Sequence, residues 1–119
     1  MEHKDNDIID FNTYCDLLKY VSKHDIIEIY KEFEIETMYF LNKLKSLTLK
    51  NDSAEILSIL HNIKGNASSL GLFAIAKYSE QTENEINEIP MSAKNDIYEK
   101  LLELYSKFTD NYERLLKIW

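Results

Sequence analysis

His61, Lys64, Gly65 and Ser68 fall in one short stretch, His61-Asn62-Ile63-Lys64-Gly65-Asn66-Ala67-Ser68-Ser69-Leu70-Gly71, and their types and spacing suit nucleophilic chemistry on an anionic group. An unperturbed imidazole has a pKa near 6.5, so a histidine offers a neutral nitrogen nucleophile at working pH. Lys64, one helical turn along, can pair with anionic oxygens as a point charge. Gly65 lacks a side chain and would let a partner backbone approach, and Ser68, two turns on, could hydrogen-bond an anion's oxygen or water. Taken singly, each has a plainer reading: an exposed histidine, a solvated lysine, a helix-weakening glycine, a surface serine. Together they do not reduce to that. A glycine inside an exposed helix costs about 1 kcal/mol relative to alanine, and a purely structural sequence has no reason to accept that cost beside a lone histidine and lysine.

The element that must carry these residues is an amphipathic helix. At 100° per residue, Ile56, Ile59, Leu60, Ile63, Ala67 and Leu70 form one apolar stripe, with His61 about 140° from its centre. Ala54, Leu57, Lys64, Gly65 and Ser68 share the histidine's flank, whereas Glu55, Ser58, Asn62, Asn66 and Ser69 fall on the far polar side. The imidazole therefore lies outside the core.

The spacing H-x-x-K-G-x-x-x-x-x-G within such a helix resembles the histidine-containing phosphotransfer (HPt) domain of phosphorelays. The resemblance extends upstream to Asp52, Leu57 and Leu60 and downstream to Leu72 and an acidic helix running to Glu83, and it covers the chain from about Ile8 onward. It implies that His61 accepts a phosphoryl group from the phospho-aspartate of a receiver domain and passes it to another receiver. Lys64 would neutralise phosphate charge, Gly65 would give access and Ser68 would supply a polar contact. The expected partners are receiver domains of response regulators or of a hybrid sensor histidine kinase. Mg²⁺ would sit on the receiver, with no cofactor bound by this chain. The chain would then be a phosphocarrier without autonomous kinase activity. It shows no kinase signature and no Gly-rich phosphate loop.

Length and composition set the frame. The 119 residues suit one domain, with 1–7 as a polar tail that includes His3 and 8–119 as the folded unit. Two glycines, one proline and 45% hydrophobic residues argue for long helices with brief connections, hence an all-α fold. A net charge of −7 without a basic cluster argues against nucleic acid and anionic lipid. A single cysteine, Cys15, cannot form an internal disulfide, and no apolar run marks a signal peptide or membrane span, so a cytoplasmic monomer is expected. Cys15 reads as a packing residue and His24 as a helix-junction residue.

The elements follow from caps and periodicity. A short helix from Asp10 or Asn12 presents Phe11, Tyr14, Leu17, Leu18 and Val21. A second, capped by Asp25, runs to about Thr48 as a rod of about 30 Å, carrying Ile26, Tyr30, Phe33, Leu41 and Leu44 inward. Asp52 or Ser53 caps the histidine helix, and Gly71 ends it by taking the left-handed conformation. The next helix starts at once and runs to about Glu88, where Pro90 ends it, and the last carries Ile97, Leu101, Tyr105, Phe108, Tyr112 and Leu115. Such a pattern predicts an antiparallel up-down-up-down four-helix bundle, and the resemblance to HPt domains implies that the short additional N-terminal helix covers one end of it near the histidine. The eight tyrosines and five phenylalanines are expected in the core.

Two further expectations concern the site. Counting back along an antiparallel neighbour from Gly71 puts Glu83 level with His61, on a stripe shared with Leu72, Ile75, Ala76, Ser79 and Ile86. A carboxylate there needs a partner, and Nδ1–H of His61 is the nearest, which would leave Nε2 free. HPt proteins carry Glu or Gln at the matching position. Docking would use Leu57, Leu18 and Ile27 around His61. Two other readings stand beside this one: a His61, Glu80 and Glu83 metal cluster, and an HPt-like bundle that acts only as a non-phosphorylated interaction module for a receiver or kinase.

Overall fold

The computed structural model describes residues 8–50 and 52–119, and of residues 48–50 and 91 it describes the backbone only. The tail assigned to residues 1–7 lies outside the described residues. Five helices follow in order: α1 (Phe11–Leu18), α2 (Lys23–Lys50), α3 (Ser53–Ser69), α4 (Phe73–Glu85) and α5 (Asn95–Ile118). Helices α2 to α5 form the four-helix bundle; each packs on the next, and α5 returns to α2 to close the ring.

Helix starts obey short-range side-chain chemistry. Asp10 caps α1 by accepting from the Thr13 amide at 3.0 Å and from the Thr13 hydroxyl at 2.8 Å. The α2 cap is Ser22, whose Oγ accepts from the Asp25 amide at 3.1 Å, so the helix begins earlier than a cap at Asp25 would allow. With 28 residues it is longer than the rod of about 30 Å expected from sequence, about 42 Å at 1.5 Å per residue, and it spans the 43 Å long axis of the molecule. Asp52 caps α3 through the Glu55 amide at 3.2 Å.

Gly71 makes the turn that sets the register of the site. Its φ is +79°, and the amides of Leu72 and Gly71 bond the carbonyls of Ala67 (2.9 Å) and Ser68 (3.2 Å), the paired bonds of a Schellman motif. Helix α1 is laid over this turn: the Asp10 amide donates to the Gly71 carbonyl at 2.8 Å, and a Cβ on Gly71 would stand 2.8 Å from Thr13 Cβ. Phe11 and Tyr14 of α1 also pack on Trp119 at the far end of the chain, with ring centroids 5.0 and 5.6 Å away. The short helix thus covers the end of the bundle where Gly71 and Trp119 meet, ten residues, or about 15 Å, along α3 from His61.

Burial follows the predicted stripes, with exceptions among the aromatics. Tyr30 and Phe33 of α2 interlock with Phe108 and Tyr112 of α5, the last two stacked at 4.7 Å. Tyr30 donates its hydroxyl to the Leu70 carbonyl at 2.7 Å, tying α2 to the end of α3. Tyr105 and Tyr112 donate to the carbonyl and carboxylate of Glu34, each at 2.8 Å. Burial pushes the Tyr105 hydroxyl up to about 12, and burial with the Glu34 carboxylate raises that of Tyr112 further. Phe11, Tyr20, Tyr39 and Phe73, however, are exposed, against the expectation that all the rings are core. Tyr20 sits in the turn after α1, and Tyr39 on the outer face of α2 with Ile35 and Met38.

The α4–α5 connection also differs from expectation. Regular α4 stops at Glu85, not Glu88, and Ile86–Glu88 tighten into a 3₁₀ turn. Pro90 explains this: it drives Ile89 to extended backbone (φ −79°, ψ 122°), and its ring would collide with the carbonyl of Ile86 were the helix continued. A second 3₁₀ turn, Met91–Ala93, follows, and Lys94 anchors the connection by donating to Ser53 Oγ at 2.8 Å.

Candidate functional site

His61 lies near the middle of α3 with its side chain 66% exposed, because its phase on the helix points away from Ile59, Leu60 and Ile63, all buried. The antiparallel turn at Gly71 brings Glu83 of α4 to the same height. Its Oε2 is 3.1 Å from His61 Nδ1, and the carboxylate is four-fifths buried. An ionised carboxylate can only accept, so this contact favours the tautomer with the proton on Nδ1, donated to Glu83. That leaves the lone pair on Nε2, the nitrogen away from Glu83 on an exposed ring.

Lys64 is drawn to the same carboxylate. Its Nζ is 3.4 Å from Glu83 Oε1, an atom that is buried and makes no aligned hydrogen bond, so the pairing is one of charge. His61 and Lys64, one turn apart on α3, therefore share one anion supplied by α4. The sequence pointed to Glu83 beside His61 but not to this second contact, although it placed Lys64 on the histidine's flank of α3.

Gly65 is exposed, and a Cβ added there would meet no atom within 4 Å. The helix surface beside His61 is thus open down to the backbone. The Gly65 carbonyl accepts from Ser69 Oγ at 3.0 Å, and Asn66 donates to Glu36 of α2 at 3.2 Å on the opposite flank. Ser68 is exposed but two turns, about 10 Å, from His61. Leu57 and Leu18 are 36% and 40% exposed, enough to be touched by a partner. Ile27 is half-buried and packs against the core, so little of it is offered to a docking surface.

Sequence reasoning missed Phe73, which opens α4 with 48% of its surface exposed beside Ser68. Its aromatic type read as core, although the stripe of Leu72, Ile75, Ala76 and Ser79 leaves position 73 off the buried face. Among the described residues no three His, Cys, Asp or Glu side chains are grouped as metal ligands, and the idea of a His61, Glu80 and Glu83 cluster finds no geometric support. Among the same residues no helix is long and apolar enough to cross a membrane.

Comparison with family models matches residues 28–117 to the Hpt domain. Comparisons with curated proteins and with solved structures gave no match. The matched segment covers most of α2, all of α3 and α4 and nearly all of α5, and so includes the histidine, its lysine and glycine, and the glutamate that faces them. A match over well more than half the chain, on a bundle with an exposed histidine at its middle, has one consequence: the chain belongs to the Hpt domain family.

Proposed function

We propose that His61 is the phosphoacceptor through which this Hpt domain carries a phosphoryl group between receiver domains. The observation that carries the reading is the exposed imidazole whose Nδ1 lies 3.1 Å from a mostly buried carboxylate. Histidine phosphotransfer in a relay is the function of the family, and its members act as phosphocarriers without kinase activity of their own.

In the step proposed, the Nε2 lone pair attacks the phosphorus of a receiver's aspartyl phosphate. The N–P bond forms as the P–O bond to the aspartate breaks, and the aspartate leaves as a carboxylate. The imidazole gains positive charge while keeping its proton on Nδ1, where Glu83 accepts it and stabilises the cation. Lys64, held at the edge of the site by Glu83, is one turn away and can turn its ammonium toward the phosphoryl oxygens. Gly65 leaves the space a receiver loop needs, and Ser68 is within reach of the partner rather than of the imidazole. The receiver brings Mg²⁺ and the groups that neutralise the transferred phosphoryl, so this chain supplies nucleophile, orientation and docking surface.

The test is radiolabelling by a phosphorylated receiver. Wild type should take up label that is acid-labile and base-stable, and His61→Gln should take up none; label retained in that variant would sink the assignment. A bundle that serves only as an interaction module would bind the receiver and never become labelled.

A further inference from the structure

The α3–α4 flank that carries His61 leads on to a crevice nearer the Gly71 turn. On α3 the flank continues from His61 and Lys64 past open Gly65 to Ser68; on α4 it continues from Glu83 past Glu80 to Lys77, Ala76 and Phe73. Ser68, Phe73, Ala76, Lys77, Glu80 and Gln81 line an open crevice of about 350 Å³. Its floor is Ala76, 6% exposed, and one wall is Phe73, 48% exposed. Phe11, exposed to a similar degree, spends its ring on Trp119, whereas Phe73 stands beside an unfilled space.

Resting on the reading that a receiver docks at His61, we propose that this crevice is part of that interface, with Phe73 as an anchor that takes an apolar side chain of the receiver. Distance supports it. Ser68 is two turns, about 10 Å, from His61, and a standard interface covers about 800 Å² on each partner, close to 30 Å across. A footprint of that size centred on the imidazole in the middle of α3 reaches the Ser68 end of the crevice. Chemistry supports it too: an exposed phenylalanine over a small apolar floor, rimmed by Lys77 and Glu80, has the apolar centre and charged edge of an interface anchor. Leu57, two residues beyond Glu55 on the same flank as His61, would then grip the receiver below the imidazole and Phe73 above it. Placing one apolar contact at each end fixes the tilt of the partner, so Phe73 would discriminate among receivers whose phospho-aspartate sites are alike.

The probe is a receiver domain that labels the wild-type chain, held in its active form with beryllofluoride. Phe73→Ala should weaken binding about tenfold, Phe73→Leu should restore most of the affinity, and Ile35→Ala on the outer face of α2 should leave it unchanged. In ¹⁵N-labelled protein the amides of Ser68, Phe73 and Glu80 should shift together with that of His61 on titration. Unchanged affinity in Phe73→Ala, or shifts at His61 with none at those amides, overturns the inference while His61 labelling still stands. A Phe73 effect on self-association alone, with receiver affinity intact, would assign the crevice to a second copy and overturn it equally. If no receiver labels the chain at all, the reading of His61 falls and this inference with it.

Discussion

Replacing Glu83 by alanine separates what this carboxylate does for the fold from what it does for the histidine. Its two contacts are at the edge of the bundle: Nδ1 of His61 at 3.1 Å and Nζ of Lys64 at 3.4 Å, with His61 66% exposed. The network is open to solvent at His61 and partly buried at Lys64 and Glu83, which are 28% and 20% exposed, and such pairs at a bundle edge contribute on the order of 1 kcal/mol to stability. Glu83 Oε1 is also buried without an aligned hydrogen bond, so its removal relieves a desolvation cost, and alanine is the better helix former. The net change in stability should therefore stay within about 1 kcal/mol, a shift of no more than about 4 °C for a domain of this size. Transfer is affected differently. A carboxylate about 4 Å from a cationic imidazole is worth between about 1 kcal/mol in water and about 4 kcal/mol at an effective dielectric of 20. With Lys64 drawing on the same anion, we expect the lower half of that range, and so a rate loss of about ten- to a hundredfold. Rapid-quench measurement of transfer from a phosphorylated receiver gives the rate, urea unfolding gives the stability, and long-range ¹H–¹⁵N correlation reports the tautomer. Glu83→Gln should keep the Nδ1–H tautomer and recover part of the rate. A wild-type transfer rate in Glu83→Ala with the tautomer unchanged would refute the reasoning, and so would a loss of stability large enough to account for the rate.

Further expectations follow from the same geometry. Lys64→Ala should slow transfer or shorten the life of the phosphohistidine with helicity unchanged, since Nζ pairs with Glu83 at the site's edge; circular dichroism and a decay assay check it, and unchanged rates at low and moderate salt would remove Lys64 from the site. Gly65→Gln should raise the unfolding midpoint, because the added side chain meets open space and helix propensity improves by up to about 1 kcal/mol, while it blocks receiver binding. Retained receiver affinity in a calorimetric titration would refute close backbone approach. Gly71→Ala should be costly, about 1–2 kcal/mol for the left-handed backbone plus the collision with Thr13, and Thr13→Gly should recover part of the second term in a double-mutant cycle followed by urea unfolding.

The bundle was readable in the sequence because its determinants are local. The stripe from Ile56 to Leu70, the acceptor at Asp52 and the glycine at 71 each act over a few residues, and the turn at Gly71 then determines which residue of α4 stands across from His61. What was not readable depends on contacts between distant elements or on competition between signals. Ser22 outcompeted Asp25 for the start of α2, and Pro90 acted back through Ile89 to end α4 early. The sharing of Glu83 by His61 and Lys64 needs the rotation of α4 about its axis, which periodicity fixes only to within a residue. Phe73 and Tyr39 were misread for a related reason: aromatic type favours burial, yet phase decides it. Glu34, which takes the hydroxyls of Tyr105 and Tyr112 across about seventy residues of chain, left no signal in its own neighbourhood.

The central claim is that one nitrogen of one histidine carries the phosphoryl group, and phosphorus–nitrogen coupling reads that nitrogen directly. The chain contains three histidines, His3, His24 and His61, so ¹⁵N-histidine-labelled protein phosphorylated by a receiver can be examined by ³¹P–¹⁵N NMR with each ring assigned. The account predicts a single phosphorus signal coupled to Nε2 of His61, with Nδ1 still protonated and facing Glu83. Coupling to Nδ1, or to a ring of His3 or His24, would contradict it.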